Sequence, residues 1–167
     1  DRGTFDLDQH IKHSGKKLTY FDQVNNQHIV PAVVEASAGV DRALLTVLAD
    51  AFTQEEVNGE LRTVLKLSPK IAPIKVAVFP LMNKNNMPEL SQKIVEDIRN
   101  SGIASFYDAG GSIGKRYRRQ DEAGTPFGIT VDHDTLEDNT VTLRDRDTME
   151  QERISIDKIV EVLKNKL

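Results

Sequence analysis

The sequence predicts an α/β fold, with a mixed sheet and helices packed on it from about Ile74 onward. Three observations predict it. The run Ile74-Lys75-Val76-Ala77-Val78-Phe79-Pro80-Leu81 is mostly apolar and bounded by turn residues, as expected of a strand buried in a sheet. Leu90, Ile94, Val95 and Ile98 then recur at helical spacing. Strand and helix signals continue to alternate, the order that builds a parallel or mixed sheet covered by helices.

Taken from the start, residues Asp1 to Gln27 are polar apart from Leu18-Thr19-Tyr20-Phe21, which precedes the turn-like Asp22 to Asn26. A hairpin is expected, with His28 to Glu35 as its returning strand and Pro31 marking an edge or bulge. Ala36 to Gly39 is a small-residue turn, and Val40, Leu44, Leu45, Val47, Leu48, Ala51 and Phe52 mark an amphipathic helix. Thr53 to Ser68 reads as a linker closed by Pro69 and Pro73. After the Ile74 strand, Asn83 to Pro88 is a loop and Asn100-Ser101-Gly102 closes the next helix. A short strand at Ala104 to Asp108 precedes a basic helix. Strands follow at Phe127 to Val131 and Val141 to Arg144, Glu152 to Ile156 extends the sheet, and a last amphipathic helix carries Ile156, Ile159, Val160 and Leu163.

Composition narrows the function. The chain has 167 residues, 38% hydrophobic and 29% charged, with no cysteine and a net charge of -4. Disulfides and thiolate zinc sites are excluded, a reducing compartment fits, and the cytoplasm is expected. No run of about 18 apolar residues is present, so no membrane partner is expected. The negative balance argues against general nucleic-acid affinity, so any such contact must come from a local patch. The chain opens Asp1-Arg2-Gly3 without a methionine or a signal-peptide profile, and reads as a fragment.

One such patch is Lys115-Arg116-Tyr117-Arg118-Arg119. On a helix, Lys115, Arg118 and Arg119 share a face and Arg116 lies off it. That face either holds a sugar-phosphate backbone or is solvated and paired with Asp121 and Glu122. The preceding Gly110-Gly111-Ser112-Ile113-Gly114-Lys115 is not a nucleotide loop. Ala109 stands where the pattern needs glycine, and Arg116 where it needs the hydroxyl that binds magnesium. Arg144 and Arg146 point to one side of a strand end, either for binding or for ion pairing. His10 and His13, near Asp6 and Asp8, lack the further positioned ligands that a metal site requires, and no metal is expected.

The turn Glu35-Ala36-Ser37-Ala38-Gly39-Val40-Asp41-Arg42 sets a carboxylate and a hydroxyl before glycine and a cation at a helix start. Its amides and Arg42 suit an anion and Glu35 suits an ammonium group; the plain alternative is a polar cap with a surface ion pair.

Glu35 to Arg42 closely resembles motif 3 of class II aminoacyl-tRNA synthetases, in the form typical of glycyl-tRNA synthetases. Pro31-Ala-Val-Val-Glu35, Leu67-Ser-Pro-Lys-Ile-Ala-Pro-Ile-Lys75 and the stretch Gly111 to Gln151 are in the same idiom, so the resemblance covers nearly the whole chain. It implies that residues 1–65 are the last part of a class II antiparallel catalytic domain, and that residues 68–167 are a C-terminal anticodon-binding domain.

The resemblance also implies residue roles. Arg42 inherits the catalytic contact to ATP phosphate. Glu35, Ser37, Ala38 and Gly39 match glycine-binding positions. Gly39, Val40, Asp41 and Arg42 form the nucleotide side. Lys115, Arg118, Arg119, Arg144 and Arg146 are the expected anticodon contacts, with tRNA(Gly) as partner. The family commonly has proline where Ala36 stands, leaving this turn less rigid. The intact enzyme of the resemblance uses glycine, ATP and Mg²⁺ and dimerises through motif 1. Motifs 1 and 2 are absent here, so this chain is expected to hold no cofactor tightly and to be inactive alone. The alternative is a non-catalytic tRNA- or protein-binding module related to the anticodon-binding domain.

Overall fold

The computed structural model describes residues 2–167 and divides the chain into two units, Asp1–Ala43 and Leu44–Leu167. The division falls inside a helix, whereas the sequence suggests a boundary between residues 65 and 68.

In the first unit, α1 (Phe5–Ser14) was not anticipated from the sequence. Its first turn carries Asp6 and Asp8 and its last turn Lys12 and His13, the charge order that suits a helix dipole. The expected hairpin forms from β1 (Tyr20–Asp22) and β2 (Gln27–Ile29), paired antiparallel with Asp22 opposite Gln27. Asp22 anchors the turn by accepting from the Val24 and Asn25 amides. The returning strand ends at Ile29, and residues 30–39 have no regular structure. Helix α2 (Val40–Ala51) then begins as the apolar spacing predicts.

The larger unit corrects the linker expectation. Phe52 to Leu65 is a hairpin, β3 (Phe52–Val57) and β4 (Glu60–Leu65), in full antiparallel register from Phe52↔Leu65 to Val57↔Glu60. Asn58 and Gly59 both take positive φ, at 53° and 79°, as the tight two-residue hairpin turn demands. That Asn-Gly pair is the signal that separates hairpin from linker. β4 then leads to a small core of Ala51, Leu67 and Ala72.

The main sheet has the strand order β6-β5-β7-β8-β9, formed by β5 (Val76–Pro80), β6 (Ser105–Tyr107), β7 (Phe127–Val131), β8 (Thr140–Asp145) and β9 (Gln151–Ser155). β5 runs parallel to β6 and β7, and β8 pairs antiparallel with β7 and β9, so the sheet is mixed as predicted. Two faces follow from strand alternation. Val76, Val78, Ile129, Val141 and Leu143 pack with Ile94, Val95 and Ile98 of α3 (Met87–Asn100) and with Ile159 and Leu163 of α6 (Ile159–Lys166). Each of these fully buried side chains stabilises the fold by about 1.5–3 kcal/mol. The opposite face carries Phe79, Gly128, Thr130 and Arg144 and meets Tyr117 of α4 (Ile113–Ala123). A short helix α5 (His133–Asp138), also unpredicted, is capped by Asp132, which accepts from the Thr135 amide while Thr135 reaches back to the Asp132 amide.

Candidate nucleic-acid interface

Helix α4 is basic, and the fold sorts its cations. Arg116, Gln120 and Asp121 are buried against the sheet, while Lys115 and Arg119 are exposed and Arg118 is half-buried. The three expected cations therefore share the outward face. Lys115 and Arg118 make no hydrogen bond or ion pair among the described residues. Arg119 is committed in part, donating to Asp108 Oδ2 at 2.6 Å and to the Gly110 carbonyl at 2.6 Å. Burial alone would raise the Asp108 carboxyl, but the Gly110 amide and the Arg119 guanidinium outweigh it and hold the group below the usual carboxylate range.

Arg116, which lies off the basic face, is interior. It donates to the Pro80 carbonyl, to Ala109 O at 3.0 Å and to Gly111 O at 2.7 Å, tying the start of α4 to the end of β5. The solvated-helix expectation, in which Asp121 pairs with cations of its own helix, is corrected. Asp121 is only 1% exposed and accepts from Arg144 and from Arg62 of β4.

Arg144 and Arg146 are likewise inside, which takes the ion-paired alternative that the sequence left open. Arg144 forks onto both Asp121 oxygens, at 2.9 and 3.3 Å, with its guanidinium 4.8 Å from the Tyr117 ring centroid. Arg146 donates to the carbonyls of Leu65, Leu67 and Gly124 at 3.1, 2.9 and 2.9 Å, and pairs with Asp147. Guanidiniums so buried and so engaged by protein groups present little surface to an RNA chain. They leave the set of surface contacts, and Lys115, Arg118 and Arg119 remain.

Two recesses flank this region. One, of about 240 Å³, is lined by Leu81, Ile113, Tyr117, Thr130, Asp132, Thr142 and Gln151. It lies where β5 and β7 end and their connections depart to opposite sides, the place where open α/β sheets take ligands. Arg153 holds two of its lining residues, pairing with Asp132 at 2.6 Å and donating to Thr142 at 3.2 Å. Sequence reading passed over Arg153, because nothing local marks an isolated strand arginine as lying across a sheet face. The other recess, about 480 Å³, carries Asp145, Glu150 and Glu152 with Lys166. Its negative balance disfavours phosphates, so the α4 side is the better nucleic-acid face.

In the first unit, Glu35, Ser37, Ala38 and Gly39 are exposed in the irregular run before α2, and Val40, Asp41 and Arg42 form the helix start. Gly39 accepts from the Ala43 amide at 2.9 Å, and no atom stands within 4 Å of where its Cβ would be. The stretch from Glu35 to Arg42, Ala36 included, is thus contiguous and open. Among the described residues, no group of three or more His, Asp or Glu side chains could hold a metal ion, and no helix is long and apolar enough to cross a membrane.

The family model described as an anticodon binding domain matches residues 75–166, more than half of the chain. The chain belongs to the anticodon-binding domain family. The matched segment contains all five strands of the mixed sheet with α3, α4 and α6, and therefore the whole candidate face. The chain is also similar to the glycine–tRNA ligase of Chlorobaculum tepidum, 53% identical over 99% of this chain and 35% of that protein. Similar matches are the glycine–tRNA ligases of Caldanaerobacter subterraneus subsp. tengcongensis, 53% identical over 100% and 36%, and of Rhodopirellula baltica, 51% identical over 98% and 32%. The chain thus spans about a third of the length of the curated relatives it matches. Those matches extend the similarity beyond the anticodon-binding segment into residues 1–74, where the Glu35 to Arg42 turn lies.

Proposed function

We propose that this chain is the part of a glycine–tRNA ligase that joins motif 3 to an anticodon-binding domain, and that the whole ligase activates glycine with ATP and transfers it to tRNA(Gly) in the cytoplasm. The observation that carries this reading is the 53% identity to a glycine–tRNA ligase across 99% of the chain.

In the anticodon-binding unit, Lys115, Arg118 and Arg119 meet the phosphates of the anticodon loop and position it, and the recess at the ends of β5 and β7 receives unstacked bases. In the motif 3 turn, Arg42 faces the ATP phosphates and stabilises the charge that develops as glycine carboxylate attacks the α-phosphate and pyrophosphate leaves. Glu35 faces the glycine ammonium, and in the whole ligase Ser37, Ala38 and Gly39 form one wall of a pocket too small for a larger side chain. Gly39, Val40 and Asp41 line the nucleotide side. An arginine at an open helix start suits a phosphate chemically. Mg²⁺ would neutralise the ATP phosphates in the whole ligase, held mainly by the phosphates and water with one or two carboxylates. Dimerisation through motif 1 belongs to the rest of the ligase.

The reading is tested by titrating the chain with tRNA(Gly) and with the same tRNA carrying two exchanged anticodon bases. Preference for the first by at least about tenfold is expected, since each wrong base commonly loses 1–3 kcal/mol. Equal affinity would refute anticodon reading and favour a general binding module. The chain alone should give no glycine-dependent exchange between ATP and pyrophosphate, and a robust rate would show that the groups assigned to the rest of the ligase are not needed.

A further inference from the structure

The family-matched segment begins at residue 75, yet a side chain from outside it lies at the centre of that segment's charged interior. Arg62 of β4 is fully buried, at 0% exposure. Its Nε donates to Asp121 Oδ2 at 3.0 Å, its Nη2 stands 2.9 Å from the same oxygen and donates to the Arg146 carbonyl at 2.6 Å, and its Nη1 pairs with Glu55. Asp121 is thereby shared between Arg62 and Arg144, one guanidinium from each side.

Position makes this contact more than a local ion pair. Asp121 stands in the last turn of α4, the helix whose first half is tied to the sheet end by Arg116 and whose outer face carries Lys115, Arg118 and Arg119. The hairpin segment holds the same end of the helix a second time, because Arg146 donates to Leu65, Leu67 and Gly124 together. Without Arg62, Asp121 keeps its bonds from Arg144, while its buried Oδ2 loses the Arg62 Nε and Nη2 contacts that tie the helix end to the hairpin.

We infer that Arg62 is a positioning residue for RNA binding: from outside the family-matched segment it fixes the C-terminal end of α4, and so the pitch at which the outward cations meet a phosphate backbone. The functional anticodon-binding unit therefore starts at the β3–β4 hairpin. The RNA part of this inference rests on the proposed function, and the helix part stands without it.

The experiment uses the full 167-residue chain as wild type, Arg62→Met and Arg62→Lys. Two readouts are taken: affinity for tRNA(Gly) at low salt, and amide hydrogen exchange along α3 and α4. Arg62→Met should weaken tRNA binding by about tenfold or more and speed exchange in the second half of α4, with α3 unchanged. Arg62→Lys, which keeps the charge without the fork, should recover part of the affinity and of the α4 protection. Exchange in α4 equal to wild type in Arg62→Met would overturn the inference whatever the RNA result, as would tRNA affinity within about twofold of a wild type that does bind. If Arg62→Met is wholly unfolded, Arg62→Lys decides: affinity and α4 exchange both matching wild type refute the need for the guanidinium fork. If wild type binds no tRNA while α4 still loosens in Arg62→Met, the anticodon reading fails and the positioning of α4 stands.

Discussion

The Tyr117 ring occupies the space over Gly128 so closely that a Cβ at residue 128 would stand 2.6 Å from Tyr117 Cε1. No side chain fits that contact without movement. The close approach lets Tyr117 bond Thr130 Oγ1 at 2.6 Å and lie edge-on to Phe79, with ring centroids 5.0 Å apart. Gly128→Ala should therefore displace Tyr117 and destabilise the chain by about 1–3 kcal/mol. Urea denaturation measures this, and stability equal to wild type would refute the packing account.

Arg146→Met should be more damaging. It removes the donor to three backbone carbonyls, Leu65, Leu67 and Gly124, of which Leu65 keeps a bond from the Leu67 amide at 2.8 Å. A loss of about 2–4 kcal/mol is expected, since hydrogen bonds to a charged group contribute about 1.5–3 kcal/mol and a buried carbonyl left unmet costs about 1–3. The same denaturation series tests it, and a loss below about 1 kcal/mol would show that water enters and satisfies those carbonyls.

Asp132 should confer a pH dependence. Burial by itself raises its carboxyl, but bonds from the Thr135 amide and hydroxyl and from Arg153 outweigh burial and hold the group below the usual aspartate range. A folded-state pKa below the unfolded one gives stability that is fully present above the unfolded value, about 3.9, and lost as pH falls through the folded value. Asp132→Ala should lower stability at neutral pH by about 0.5–2 kcal/mol as a lost helix cap. It should also flatten the acid limb of a stability-against-pH curve. An unchanged acid limb would remove Asp132 from the account.

Lys115→Ala and Arg118→Ala should behave differently from every interior change. Both side chains lie on the outward face of α4, so folding stability should move by less than about 0.5 kcal/mol. Each should reduce the salt slope of tRNA(Gly) binding by about 1. Titrations at several salt concentrations check this, and an unaltered slope would place the RNA elsewhere. Arg144→Ala should fail this pattern, losing stability as well as affinity, because its charge is spent on Asp121.

Arg42→Ala, placed in a complete glycine–tRNA ligase, should reduce glycine-dependent exchange of ATP and pyrophosphate by about 10²–10³-fold, the usual effect of removing a group that stabilises transition-state charge. The anticodon-dependent affinity of the variant for tRNA(Gly) should stay unchanged. Loss of both together would indicate unfolding and not chemistry.

The sequence by itself determined the order of strands and helices from Ile74 onward apart from the short α5, the helix at Val40, and the motif residues Glu35 to Arg42. Each is written in local periodicity or in contiguous residues. It also determined that Lys115, Arg118 and Arg119 share a face, since helical spacing alone puts them there. The hairpin at Phe52 to Leu65 was legible in Asn58-Gly59, although the polar alternation around it reads equally as a linker. Only the tertiary structure decided which arginines reach water. Arg62 meets Asp121 across 59 residues, Arg116 meets Pro80 across 36 and Arg146 meets Leu65 across 81. A charge can stay buried only where carboxylates or carbonyls surround it, and those partners come from distant segments that local sequence does not bring together.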